Sequence, residues 1–127
     1  LKMAAPIDTS RRTNVPSKQA AEEILGHHTE VVVSKFEDHL LIIATQYMKI
    51  GTVVEVTRDL ISDDVQGKIP IFSTRVLLGK DEPITHVVAK TIVTELNPPI
   101  PVILTLALKD TSLETAQTII KMIQSCL

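Results

Sequence analysis

Apolar residues change their spacing along the chain. Over residues 31–56 they come in short runs broken by turn residues, and from residue 84 onward they recur twice at helical spacing. Val31-Val32-Val33-Ser34-Lys35-Phe36 reads as a strand, Glu37-Asp38-His39 as a turn, and Leu40-Leu41-Ile42-Ile43-Ala44-Thr45 as the returning strand of an antiparallel hairpin. After Gly51, residues 52–57 form a third strand. Residues 58–70 are polar, with Asp59, Asp63, Asp64 and Gly67, and read as the longest break in the domain. Such a length exceeds what compact connections need, so this segment is expected to be mobile or functional. Residues 71–78 form a fourth strand with Phe72, Thr74, Val76 and Leu78 on one face.

The spacing then predicts a helix over residues 82–96, with Ile84, Val87, Val88, Thr91, Ile92 and Glu95 near one stripe. Asn97-Pro98-Pro99 ends it, because proline cannot continue a helix and restricts the residue before it. Residues 102–108 form a fifth strand, with Val102, Leu104, Leu106 and Leu108 on one face and Ile103 and Ala107 on the other. Asp110-Thr111-Ser112 caps a last helix, whose stripe is Leu113, Ala116, Ile119, Ile120 and Ile123.

Residues 1–25 stand apart. Pro6, Pro16, Arg11, Arg12 and small polar residues predict a flexible N-terminal arm. Residues 19–25 are good helix formers and Gly26 suits a helix end, so a short helix is allowed within that arm. Leu1 and Lys2 precede Met3, which reads as the natural start. Residues 26–127 are expected to be a single domain. The order of elements makes it α+β: a mostly antiparallel sheet of about five to six strands, with two C-terminal-half helices packed on one face.

Two helices cover only one face. The second strand is apolar at every position from Leu40 to Ala44, so both its faces need cover. An exposed apolar sheet face marks an interaction site. The domain is therefore expected to dimerise through that face, with the N-terminal arm folded over it as the alternative.

Composition narrows the function. A chain of 127 residues is one domain by size. The net charge of −2, with Phe36, Tyr47 and Phe72 as the only aromatic residues, leaves neither an electrostatic footprint nor a stacking platform for nucleic acid. Cys126 is the single cysteine and cannot form an intramolecular disulfide, which fits a reducing compartment. A reactive thiol is the alternative, with Lys121 the one nearby cation. No run approaches the roughly 18 apolar residues of a membrane span, and residues 1–24 lack an apolar signal-peptide core. The expected location is the cytoplasm, with the nucleus also allowed.

The search for chemistry is short. Gly79-Lys80 between a strand and a helix suggests a phosphate loop, but the first glycine and the Ser/Thr of such a loop are missing. Asp81 and Glu82 occupy the helix start, where an anion would sit. Asp81 is placed to cap the free N–H groups, and Pro83 suits the first turn. His28 and Glu30 share a strand face while His27 does not, which is too few ligands for a metal. His86 is expected half-exposed on its helix and His39 solvated in its turn. No serine lies in a Gly-x-Ser-x-Gly elbow, and Asp59, Asp63 and Asp64 lack calcium-loop spacing. No cofactor, metal or catalytic residue is assigned, and the chain is read as a non-enzyme.

Three stretches carry a family likeness. They are Thr45-Gln46-Tyr47-Met48-Lys49-Ile50-Gly51-Thr52-Val53-Val54, Thr74-Arg75-Val76-Leu77-Leu78-Gly79-Lys80-Asp81-Glu82-Pro83 and Ile84-Thr85-His86-Val87-Val88-Ala89-Lys90. With weaker similarity from residue 29 to the end, the chain resembles the proteasome assembly chaperone 3 family. That resemblance implies a chaperone without cofactor that dimerises, with a like-folded proteasome assembly chaperone 4-type partner or with itself. The dimer would hold proteasome α-type subunits while the 20S α-ring forms. It also marks the connection after the third strand as a contact with an α subunit. In this chain Arg58, Asp59, Asp63, Asp64 and Lys68 are the candidates there. A small dimeric regulatory or ligand-binding module unrelated to the proteasome is the alternative.

Overall fold

The computed structural model describes residues 16–127. The elements are β1 (Ser17–Ile24), β2 (His27–Lys35), β3 (Leu40–Thr45), β4 (Thr52–Asp63), β5 (Gly67–Leu78), α1 (Pro83–Leu96), β6 (Val102–Ala107) and α2 (Leu113–Cys126). The strands form one six-stranded sheet in the order β1-β2-β3-β6-β4-β5. Neighbours are antiparallel except β3 and β6, which run parallel. This is the expected α+β fold, at the upper end of the expected strand count.

Alternation sorts the side chains. Val31, Val33, Ile42, Val54, Val56, Val102 and Leu104 are buried on one face. There α1 lies over β4, β5 and β6, and α2 over β1, β2 and α1. Ile92 and Val93 of α1 and Ile119 and Ile123 of α2 close this core, and all four are fully buried. Burying side chains of this size contributes about 1.5–3 kcal/mol each.

Four sequence-based expectations change. Residues 19–25 are not helical: 17–24 are β1, paired along their length with β2. Leu25 and Gly26 both have positive φ and form a two-residue hairpin turn, so Gly26 turns a strand instead of ending a helix. Pairing with β2 overrides the helix propensity of alanine and glutamate. Of the expected N-terminal arm, residues 1–15 lie outside the described residues.

The polar stretch 58–70 is likewise not a loop. All but Asp64-Val65-Gln66 belongs to β4 or β5. Asp63 accepts hydrogen bonds from the N–H groups of Val65 (2.7 Å) and Gln66 (2.8 Å), and Gly67 has φ 83°, which closes a three-residue hairpin loop. Pro70 fits because β5 is an edge strand.

The stripe of α1 is rotated from the expected one. Val88, Ala89, Ile92 and Val93 are buried, whereas Ile84 is exposed and Val87 is 58% exposed. The helix touches the sheet on one side and α2 on the other, which turns Val93 inward and Val87 out. On α2 the expected stripe holds from Ala116 to Ile123, but Leu113 is exposed.

The start of α1 also differs. The N-cap is Glu82, and no side chain caps it. The Asp81 carboxylate bonds His86 Nε2 instead, at 2.6 Å, and Glu82 pairs with Lys80 at 3.5 Å. Pro83 takes the first helical position as expected. At α2 the Ser112 hydroxyl accepts from Thr115 N at 3.3 Å, the expected cap. Asp110 accepts from the Thr115 hydroxyl and from Ser112 Oγ, and these bonds hold its carboxyl below the usual aspartate value.

Candidate functional site

Three surfaces stand out once the elements are in place: the open sheet face, the ribbon of β4 and β5, and a cleft at the top of α1.

The open face follows from register. Val32, Ile43, Thr105 and Val53 are successive cross-strand neighbours, and so are Ser34, Leu41, Ile103 and Glu55. Neither helix packs on this side. Val32, Leu41, Ile43, Val53 and Ile103 are half-buried by their neighbours alone. At the margin Glu55 accepts two hydrogen bonds from Arg75, the shorter 2.7 Å. Toward the other edge His28 bonds Glu30 at 2.9 Å, the meeting expected from strand alternation.

The ribbon begins where the sheet ends. β4 pairs with β6 only over Thr52–Val56, and residues 57–63 pair only with β5. This two-stranded extension carries all five charged residues proposed from sequence. Arg58, Asp59 and Asp63 lie on β4, Asp64 in the turn and Lys68 on β5. They do not share a face. Register puts Arg58 and Lys68 on the helix side and Asp59 and Asp63 on the other. Arg58 Nε is buried with no hydrogen-bond partner among the described residues. The Gln66 and Val65 N–H groups hold the Asp63 carboxyl below its usual value. Sequence reasoning missed the apolar groups between the charges. Ile61 pairs with Ile69, and Ile71 follows on the same side, so the ribbon continues the open face. Val65 at the tip is 91% exposed.

The cleft, of about 230 Å³, joins residues far apart in sequence. Tyr47, Lys49 and Gly51 come from the connection between β3 and β4, Thr52 from the start of β4, Glu82 from the N-cap of α1, Ile84, Thr85 and Val88 from α1 itself, and Leu106 and Leu108 from β6 and beyond. All three stretches that carry the family likeness thus meet here.

The loop beside it is tightly held. Thr45 Oγ1 accepts from the N–H groups of Tyr47 (3.1 Å) and Lys49 (3.2 Å). Buried Gln46 donates to Thr29 Oγ1 at 3.0 Å and accepts from the N–H groups of Lys109 (2.7 Å) and Asp110 (3.0 Å). Gly51 has φ 75°, and a Cβ there would stand 2.3 Å from the Leu106 carbonyl oxygen.

Thr74, His86 and Asp81 form a hydroxyl–imidazole–carboxylate series. Thr74 Oγ1 lies 2.6 Å from His86 Nδ1, and His86 Nε2 lies 2.6 Å from Asp81 Oδ1. Thr74 does not line the cleft. The series joins β5 to the first turn of α1, which explains why His86 is half-buried. His39 stacks on Phe36 with ring centroids 4.6 Å apart and bonds Asp38 at 2.7 Å. Among the described residues, no three His, Cys, Asp or Glu side chains gather as a metal site. Cys126 is buried.

The family model for proteasome assembly chaperone 3 matches residues 42–126. Proteasome assembly chaperone 3 of Bos taurus is 41% identical over 113 residues, covering 87% of this chain and 91% of that protein. The Homo sapiens protein of that name is 37% identical over 115 residues, covering 88% and 93%. The Nematostella vectensis protein is 37% identical over 131 residues, covering 97% and 95%. Among solved structures, a chain from a chaperone complex for yeast 20S proteasome assembly superposes with a TM-score of 0.66 at 14% identity. That match covers 87% of this chain and 97% of the other, and it shows a shared fold. With its signature stretches meeting at one cleft and its relatives matched over nearly their whole length, the chain belongs to the proteasome assembly chaperone 3 family.

Proposed function

We propose that this protein acts without catalysis as a dimeric chaperone of 20S proteasome α-ring assembly. It pairs through its open sheet face with a like-folded partner of the proteasome assembly chaperone 4 type, or with a second copy, and holds α-type subunits while their ring forms. The observation that carries this reading is the apolar face of Val32, Leu41, Ile43, Val53 and Ile103, uncovered by any of the described residues and continued by Ile61, Ile69 and Ile71 on the ribbon. Leaving such a face in water forgoes about 25 cal/mol for each Å² that a partner would cover. A standard interface removes roughly 800 Å² per partner.

The ribbon suits the α-subunit contact. It projects past the sheet and mixes exposed apolar groups with Arg58, Asp59, Asp63, Asp64 and Lys68. Mixed polarity favours a complex that forms and is later displaced. The decisive test is retention of each of the seven α subunits by the tagged chain, alone and with a chaperone 4-type partner. Retention of none of them in either form would sink the reading. Ile43→Asp with Ile103→Asp is expected to abolish the dimer in sedimentation while leaving the helix-covered core folded.

A further inference from the structure

The cleft beside Tyr47 is not needed for a dimer through the open face, because it opens on the helix side of the sheet. Its walls specify a ligand of their own.

Two ammonium groups flank one aromatic ring: Lys49 Nζ lies 4.9 Å and Lys109 Nζ 5.1 Å from the Tyr47 ring centroid. Neither lysine makes an ion pair among the described residues. Glu82 is the one acidic residue in the lining, and its carboxylate is paired with Lys80. The mouth thus offers two ammonium groups without a carboxylate partner among the described residues, Lys49 in the lining and Lys109 beside it. Beneath it Ile84, Val88, Leu106 and Leu108 supply apolar wall. The volume of about 230 Å³ is below the roughly 300–1,000 Å³ of cofactor-sized sites, and suits one inserted side chain. The loop is also preorganised. Met48 holds φ 61°, a strained conformation for such a side chain, because Thr45, Gln46 and Gly51 fix the backbone on both sides. A ligand there orders little that is not already ordered.

We propose that this cleft docks an extended acidic–aliphatic segment of a partner protein. An aliphatic side chain enters between α1 and β6, and the carboxylate of an adjacent Asp or Glu lies between Lys49 and Lys109. This assignment does not rest on the dimer, and the apolar part of the cleft lies apart from the open face, which Lys49 also borders beside Ile43.

The test is an amide-resolved NMR titration of the full chain with a capped glycine–leucine–aspartate–glycine peptide. Shifts are expected at Tyr47, Lys49, Thr85 and Leu108. The asparagine analogue should bind about two- to fivefold more weakly, and Lys49→Glu with Lys109→Glu should cost at least a similar factor. Both lysines are exposed, so the variant's remaining spectrum should be unchanged; if it is not, Lys49→Gln with Lys109→Gln replaces it. No shift up to the solubility limit, equal binding of the asparagine peptide, or shifts centred on Val32 and Ile43 would overturn the assignment. So would inorganic phosphate moving the same amides as strongly, because the apolar wall would then play no part.

Discussion

The connection from β3 to β4 and the ribbon of β4 and β5 both present apolar side chains to solvent, yet they are held in opposite ways. Residues 46–51 are tied to distant parts of the chain: Gln46 to Thr29, Lys109 and Asp110, and Gly51 against Leu106. Beyond Phe72, which is buried in the core, residues 59–71 are tied mainly to each other through one antiparallel pairing. An isolated two-stranded hairpin is marginal in water. The first region therefore opens only with the whole domain, and the second can open by itself. Exposure alone does not separate them, since Met48 is 66% exposed and belongs to the rigid loop.

The comparison breaks most directly at Gly51. Gly51→Ala must place a Cβ 2.3 Å from the Leu106 carbonyl oxygen at positive φ. It is expected to destabilise the domain by about 2–4 kcal/mol in urea unfolding. Gln46→Leu comes next. It removes the acceptor for two backbone N–H groups and a partner of Thr29, an expected loss of about 1–3 kcal/mol by the same measurement.

A smaller and pH-dependent effect separates the two aspartates. Hydrogen bonds from Thr115 and Ser112 lower the Asp110 pKa, so its contribution is present above the unfolded value of about 3.9. That contribution is lost as pH falls through the lower folded value. Asp110→Asn should therefore lower thermal stability at pH 7, and the gap to the parent should close below about pH 4. Asp63 is lowered too, by the Gln66 and Val65 N–H groups. Its bonds stay within the ribbon tip, so Asp63→Asn should leave the global transition unmoved. The smallest effect is expected of Val65→Ser, within about 0.5 kcal/mol of the parent. Hydrogen exchange supplies the matching control: amides of residues 59–69 should exchange well before those of Tyr47 and Lys49.

Legibility in the sequence follows the same division. β3 was readable because five consecutive apolar residues, Leu40 to Ala44, lie between a polar turn and the Thr45-Gln46 pair. β6 and the end of α1 were readable from prolines. The helix-forming composition of residues 19–25 concealed β1, since what makes it a strand is the neighbouring β2 and not its own residues. The ribbon was concealed by aspartates and a glycine that read as loop; the alternation of Ile61, Ile69 and Ile71 was the signal available. The open face could be inferred from Leu40 to Ala44 because an all-apolar strand needs two partners. The cleft could not, because its walls come from three separated segments and depend on how far α1 is rotated. The expected cap by Asp81 failed for a similar reason: His86, one turn into the helix, is the nearer partner.

The parallel pairing of β3 with β6 has a consequence for synthesis. Leu40 is matched with Val102, far along the chain from it. On the order of sixty residues are made between them, which at typical elongation rates is about 3–12 seconds. Throughout that interval β3 emerges as an apolar strand with one edge unfilled, and no local hairpin can fill it. The nascent chain is thus itself prone to mispairing until β6 leaves the ribosome. A member of a chaperone family has, in its own strand order, a strand that must wait for its neighbour.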